Sequence, residues 1–101
     1  MSENLIELVK IIRDRKNKGE DKSYTSSLLA GGLSKCIDKM EEEFGELKEA
    51  LNDKSNIVHE TADTIYHILV TLEAANVRFE DVLKELESRQ KQSGIEEKNN
   101  R

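Results

Sequence analysis

The stretch Ile57–Ala75, IVHETADTIYHILVTLEAA, decides how the rest of the chain is read. At about 100° per residue, Ile57, Val58, Ala62, Ile65, Ile68, Leu69 and Leu72 spread over more than half of a helix circumference, and Tyr66 and Val70 widen the arc. A helix that is apolar over so much of its surface should be buried on several sides. Glu60, Asp63 and His67 stack at i, i+3 and i+7 on the narrow strip that remains. Acids cut into such a helix need a partner, because removing the partner of a buried charge costs roughly 3–5 kcal/mol. This strip is where the chemistry is expected.

The helix sits in a polar chain. The sequence has 101 residues, 36% hydrophobic and 37% charged, so one small domain with a modest private core is expected. Residues 57–75 therefore need cover from a second copy of the chain. With no Pro, five Gly and few aromatics, the composition predicts an all-α fold. The net charge of −5 argues against a general nucleic-acid binder. A single cysteine, Cys36, excludes an internal disulfide framework. No signal-peptide pattern and no apolar run of about 20 residues is present, which predicts a cytoplasmic protein with no membrane partner.

Around the central helix the periodicity predicts a bundle of about four to five helices, occupying residues 1–92. Leu5, Leu8, Val9 and Ile12 form one apolar face, with Ser2 as N-cap. Arg13, Arg15, Lys16 and Lys18 gather at the end of that helix, either complementing its dipole or forming an anion site. SYTSSLLAGG reads as a short helix capped by Ser23 and stopped by Gly31-Gly32. Ser34 is the expected cap of a long helix to about Asn52. In it Leu33, Ile37, Met40, Phe44, Leu47 and Leu51 make a heptad-like seam for packing on other helices. Asn76 is expected to end the central helix in a left-handed conformation. FEDVLKELESR follows, with Phe79, Val82, Leu83 and Leu86 on one face. Residues 93–101 lose the periodicity and are expected to be a mobile tail that orders on substrate.

Two neighbouring helices each carry an acid pair at i, i+3, Glu43/Glu46 and Glu60/Asp63. Packed antiparallel, they bring four carboxylates together. Hard oxygen donors in that number suit Mg²⁺, or Mn²⁺, and chemistry on a phosphate ester or anhydride. The competing reading is a salt-bridged core, with His67 as an ordinary buried histidine. Asp63, on the most buried helix, is the expected point of strain without a cation.

EEFGE (Glu42 to Glu46) followed by HETAD (His59 to Asp63) resembles the EExxE…ExxD signature of the all-α, MazG-like nucleotide pyrophosphohydrolases. SYT at Ser23–Thr25, ADTIYHILV at Ala62–Val70 and SGIEEKNNR at Ser93–Arg101 resemble the phosphoribosyl-ATP pyrophosphatase family within that group. The resemblance implies a helical bundle completed by homodimerisation, and Mg²⁺-dependent hydrolysis of phosphoribosyl-ATP to phosphoribosyl-AMP and pyrophosphate in histidine biosynthesis. It further implies Glu43, Glu46, Glu60 and Asp63 as metal ligands and Glu42 and Glu43 as the catalytic pair, with Glu42 an acid just outside the ligand set or a water-positioning base. Arg15, Lys16, Ser23, Tyr24, Thr25, Lys39, His67, Lys98 and Arg101 are the implied substrate-binding set. Glu41, Phe44 and the lack of Pro before SYT depart from the usual pattern and bear on local packing. Two other readings stay open: a house-cleaning nucleoside triphosphate pyrophosphohydrolase, and a non-enzymatic helical dimerisation module.

Overall fold

A computed structural model describes residues 2–16 and 23–91. Among them are five helices and no strand: α1 (Ser2–Arg15), α2 (Tyr24–Ala30), α3 (Gly32–Asp53), α4 (Ile57–Ala74) and α5 (Phe79–Gln90). The tail at 93–101 lies outside the described residues. No described helix is long and apolar enough to cross a membrane.

The helix boundaries follow local chemistry. Ser23 caps α2 by accepting from the Ser26 amide at 3.0 Å, as its place before YTSS predicts. Gly32 takes φ +89°, a conformation that a side chain would strain, and lets α3 start directly after α2. Ser34 is thus inside the first turn of α3 and not its cap, which is Gly31. The α3–α4 turn runs through Lys54 and Asn56, both left-handed, and Asn76 leaves α4 in the same conformation.

The core forms where α1 and α2 lie across α4. Val9, Ile12, Leu28, Cys36, Leu69 and Val70 are buried there, with Leu5, Leu8, Leu29, Tyr66, Ala74 and Phe79 packed around them. Each such aliphatic side chain contributes about 1.5–3 kcal/mol on burial. The Cys36 thiol donates to the Leu28 carbonyl at 3.3 Å, and burial raises its pKa.

The most extensive helix contact is α3 on α4, but its α3 face differs from the expected one. Cys36, Glu43 and Ala50, seven residues apart, are the line that meets α4: Thr71 donates to the Cys36 carbonyl and Thr64 to the Glu43 carbonyl. The apolar seam lies to one side of that line. Leu33, Ile37, Phe44 and Leu51 are exposed, from 41% for Leu33 to 53% for Leu51. On α4, Ile65 is exposed as well, and Val58 reaches 85%. The central helix is buried around its C-terminal half and open along its N-terminal half.

The basic end of α1 is a structural hub. Arg13 makes a two-point contact with Glu80, at 3.1 and 3.3 Å, and reaches Glu73 at 3.3 Å. It thereby ties α1 to both α4 and α5. Hydrogen bonds from Arg13, helped by the backbone at the start of α5, hold the Glu80 carboxyl at about 2, against an ordinary 4.5. A depressed carboxyl stabilises the fold above its unfolded pKa and loses that contribution as pH falls toward the folded value. The difference in Tm between wild type and Glu80→Gln should therefore be full at pH 7 and shrink steadily from about pH 4.5 toward 2. A gap that does not change with pH in thermal melts would contradict the assignment.

Candidate active site

The α3–α4 pairing brings the predicted acids together. One carboxylate oxygen from each of Glu43, Glu46 and Glu60 lies within 4.8 Å of the others. Asp63 joins through Glu60: a ligand atom of His59, Glu60 and Asp63 forms a second group within the same 4.8 Å limit. Glu60 is common to both. The four acids expected from sequence thus form one connected cluster across two helices.

The electrostatics single out Glu43. Its Oε2 is buried and has no hydrogen-bond partner among the described residues. Burial first, then the adjacent Glu46 carboxylate and then Asp63, push the Glu43 carboxyl above the usual range, while nearby His67 pulls it back. A buried acceptor left unpaired among like charges is unfavourable as it stands. The donor set fits a hard divalent cation: carboxylate oxygens with one imidazole at the edge and no thiolate. Asp63 is less strained than the sequence suggested. It is partly exposed and faces His59, with Nε2 to Oδ2 at 3.2 Å. Beside the acids, between α3 and the start of α4, lies an open polar cavity of about 210 Å³ whose lining includes Glu46, Glu49, Asp53, Asn56 and Glu60.

One helical turn from Asp63 the SYT segment meets α4. The His67 Nδ1–H donates to the Asp63 carbonyl at 2.9 Å, so in the neutral ring Nε2 is left to accept from the Tyr24 hydroxyl at 3.2 Å. Tyr24 and Tyr66 both meet the ring edge-on, with centroids 6.0 and 5.3 Å away. Tyr66 also hydrogen-bonds Thr25. Burial pushes the Tyr66 phenol up, and the Arg15 guanidinium acts on it in the opposite direction. Ser23, Tyr24, Thr25, His67 and Arg15 therefore cluster at one end of the acid strip. The Ser26 hydroxyl secures the junction by donating to the Arg15 carbonyl at 3.2 Å.

The remaining sequence-derived residues are placed differently. Lys16 donates to the Glu73 carbonyl at 2.9 Å and to Asn76 Oδ1, so its ammonium caps the C-terminal end of α4. That is more than two turns from Asp63, and the cap accounts for the residue without a phosphate. Glu42 is exposed and pairs with Lys39 at 3.3 Å, outside the carboxylate groups. Lys98 and Arg101 lie outside the described residues. Sequence reasoning missed His59, although its spacing of four from Asp63 was a usable signal, and it missed Thr64 and Tyr66.

Comparison with known proteins gives the family. Residues 5–90 match the family model described as phosphoribosyl-ATP pyrophosphohydrolase. Phosphoribosyl-ATP pyrophosphatase of Rhizobium etli is 40% identical over 97% of this chain and 94% of its own length. The enzyme of that name from Ruegeria pomeroyi is 45% identical over 93% and 91% respectively. The histidine biosynthesis bifunctional protein HisIE of Helicobacter hepaticus is 48% identical over 96% of this chain, which corresponds to 43% of that longer protein. With a match that spans most of its length and relatives well above 30% identity, the chain belongs to the phosphoribosyl-ATP pyrophosphohydrolase family.

Proposed function

We propose that this chain hydrolyses phosphoribosyl-ATP to phosphoribosyl-AMP and pyrophosphate in histidine biosynthesis, as a Mg²⁺-dependent, cytoplasmic homodimer. The observation that carries the metal-dependent reading is a Glu43 carboxylate grouped with Glu46 and Glu60, with one of its oxygens buried and without a hydrogen-bond partner among the described residues. Glu43, Glu46, Glu60 and Asp63 are the residues that would hold Mg²⁺, with Mn²⁺ as a substitute. The bound ion supplies charge neutralisation for the phosphate oxygens and the departing pyrophosphate, and a water of lowered pKa. The chain's own residues do the rest. The acid cluster would hold the ion, Arg15 offers a cation at the SYT end, and Tyr24 offers a hydroxyl held by His67. Glu42, next to Glu43 on α3 and paired with Lys39, is the acid we assign to orienting the attacking water. No covalent nucleophile is needed, since catalysis of this kind rests on positioning and electrostatics.

The homodimer is supported by the exposed seam. Leu33, Ile37, Phe44 and Leu51 on α3, with Val58 and Ile65 on α4, leave apolar surface that a helical protein normally covers. A second copy brings an identical face, as a two-fold interface requires.

Product analysis with phosphoribosyl-ATP against a panel of nucleoside triphosphates tests the substrate: pyrophosphate release should be greatest with the former, and an equal or greater rate with the triphosphates would move the chain to a house-cleaning role. Glu43→Gln keeps the side-chain shape and removes one charge. It should lower Mg²⁺-dependent pyrophosphate release by about 100-fold or more, at or beyond the limit for residues that only support a ligand. Its metal-free Tm should be no lower than wild type. A sharp fall in that Tm, with activity per folded molecule retained, would instead identify a salt-bridged core. Ile37→Glu, which puts a charge on the α3 seam, should convert a dimer to a monomer in sedimentation at micromolar concentration. A wild-type protein that sediments as a compact monomer would refute the dimer.

A further inference from the structure

The two buried threonines of α4 make the same contact one heptad apart. Thr64 Oγ1 lies 2.8 Å from the Glu60 carbonyl and 3.3 Å from the Glu43 carbonyl. Thr71 Oγ1 lies 2.7 Å from the His67 carbonyl and 3.2 Å from the Cys36 carbonyl. Each hydroxyl has one proton to donate, so each bond is shared between the preceding turn of α4 and the facing backbone of α3. Both residues are buried, at 3% and 8% exposure, which removes water as a substitute partner. An apolar side chain at either position would fill the same space but leave the facing α3 carbonyl without this donor, removing the one directional contact at that point. The hydroxyl fixes an axial offset.

The two threonines differ in what they align. The carbonyls joined by Thr71 belong to Cys36 and His67, which supply none of the proposed ligands. Those joined by Thr64 belong to Glu43 and Glu60, the residues whose carboxylates meet across the two helices. The carboxylates repel each other without a cation, and any axial offset of α3 against α4 changes the distance between Glu43 and Glu60. We infer that Thr64 is a positioning residue, whose hydroxyl clamps the Glu43 and Glu60 backbones together and so presets the spacing of the cation-binding carboxylates. This inference rests on the metal-site reading given above. It assigns to Thr64 no contact with substrate or ion.

The test uses the full chain and Mn²⁺ alone as the probe, with affinity read from the free-ion electron paramagnetic resonance signal at a temperature well below every variant's Tm. Thr64→Val, which replaces the hydroxyl by a methyl of similar size, should weaken Mn²⁺ binding about 10-fold or more, the loss typical of a residue that orients a ligand. Thr71→Val removes an equivalent bond and should leave Mn²⁺ affinity within about twofold of wild type, whatever it does to Tm. Thr64→Ser restores the hydroxyl and should bind Mn²⁺ like wild type even where it melts lower. Together these separate positioning from stability, and the Ser variant decides the matter if Thr64→Val does not fold. Equal Mn²⁺ affinity for Thr64→Val and wild type, equal losses in the two Val variants, or a loss in Thr64→Ser matching its loss of stability would each overturn the inference. A wild-type protein that binds no Mn²⁺ would overturn it together with the metal-site reading. Wild-type binding that Glu60→Gln abolishes and Thr64→Val leaves intact would overturn this inference alone.

Discussion

Mutual repulsion among carboxylates on two packed helices is the constraint to which the rest of the molecule answers. Two acids a few ångströms apart oppose each other by roughly 4 kcal/mol in the partly shielded surroundings of a protein surface. Here Glu43, Glu46 and Glu60 approach within 4.8 Å, and one oxygen of Glu43 is buried without a hydrogen-bond partner among the described residues. A fold of modest core does not tolerate this by accident. The elements that carry the acids must be held by something other than the acids themselves.

What holds them is distributed. The apolar contacts of α1 and α2 grip α4 through Val9, Ile12, Leu28, Leu69 and Val70, mostly beyond the acid strip. Arg13 and Lys16 fasten the far end of α4 to α1 and α5 through Glu73, Glu80 and Asn76. The half of α4 that carries Glu60 and Asp63 therefore extends from a clamped base, and hydroxyl–carbonyl bonds from Thr64 and Thr71 add to the packing of α3 on α4. Stability and chemistry are separated along one helix. Such separation is common where a site must keep groups that the fold alone would discard.

Much of this was legible from the residues. Periods of three and four predicted about four to five helices with nearly correct limits, because Ser23, Gly31-Gly32 and Asn76 mark ends by local backbone chemistry that needs no tertiary knowledge. The acid pairs were legible because a carboxylate on a strongly apolar helix is out of place unless something pairs with it. The inward face of α3 was not. The line Cys36–Glu43–Ala50 and the seam Ile37–Phe44–Leu51 are offset by only one residue, so both fall in one wide apolar arc whose centre faces solvent. Periodicity finds the arc and does not choose its midpoint. Asp63 was judged from its helix, whereas its exposure depends on the neighbouring turn and on His59. Lys16 was grouped with its basic neighbours because a side chain reaching sixty positions along the chain to cap α4 leaves no local trace.

The burial of Cys36 gives the molecule a built-in clock. Its thiol, shut between α2 and α4 and bonded to the Leu28 carbonyl, can meet a reagent only when α2 lifts or the two long helices part. While it is shut in, burial raises its pKa and keeps it protonated and unreactive. As the sole cysteine of the chain it reports such openings without background. The rate at which the native protein takes up a thiol label is thus a record of how often α2 lifts from, or α3 parts from, the rest of the bundle.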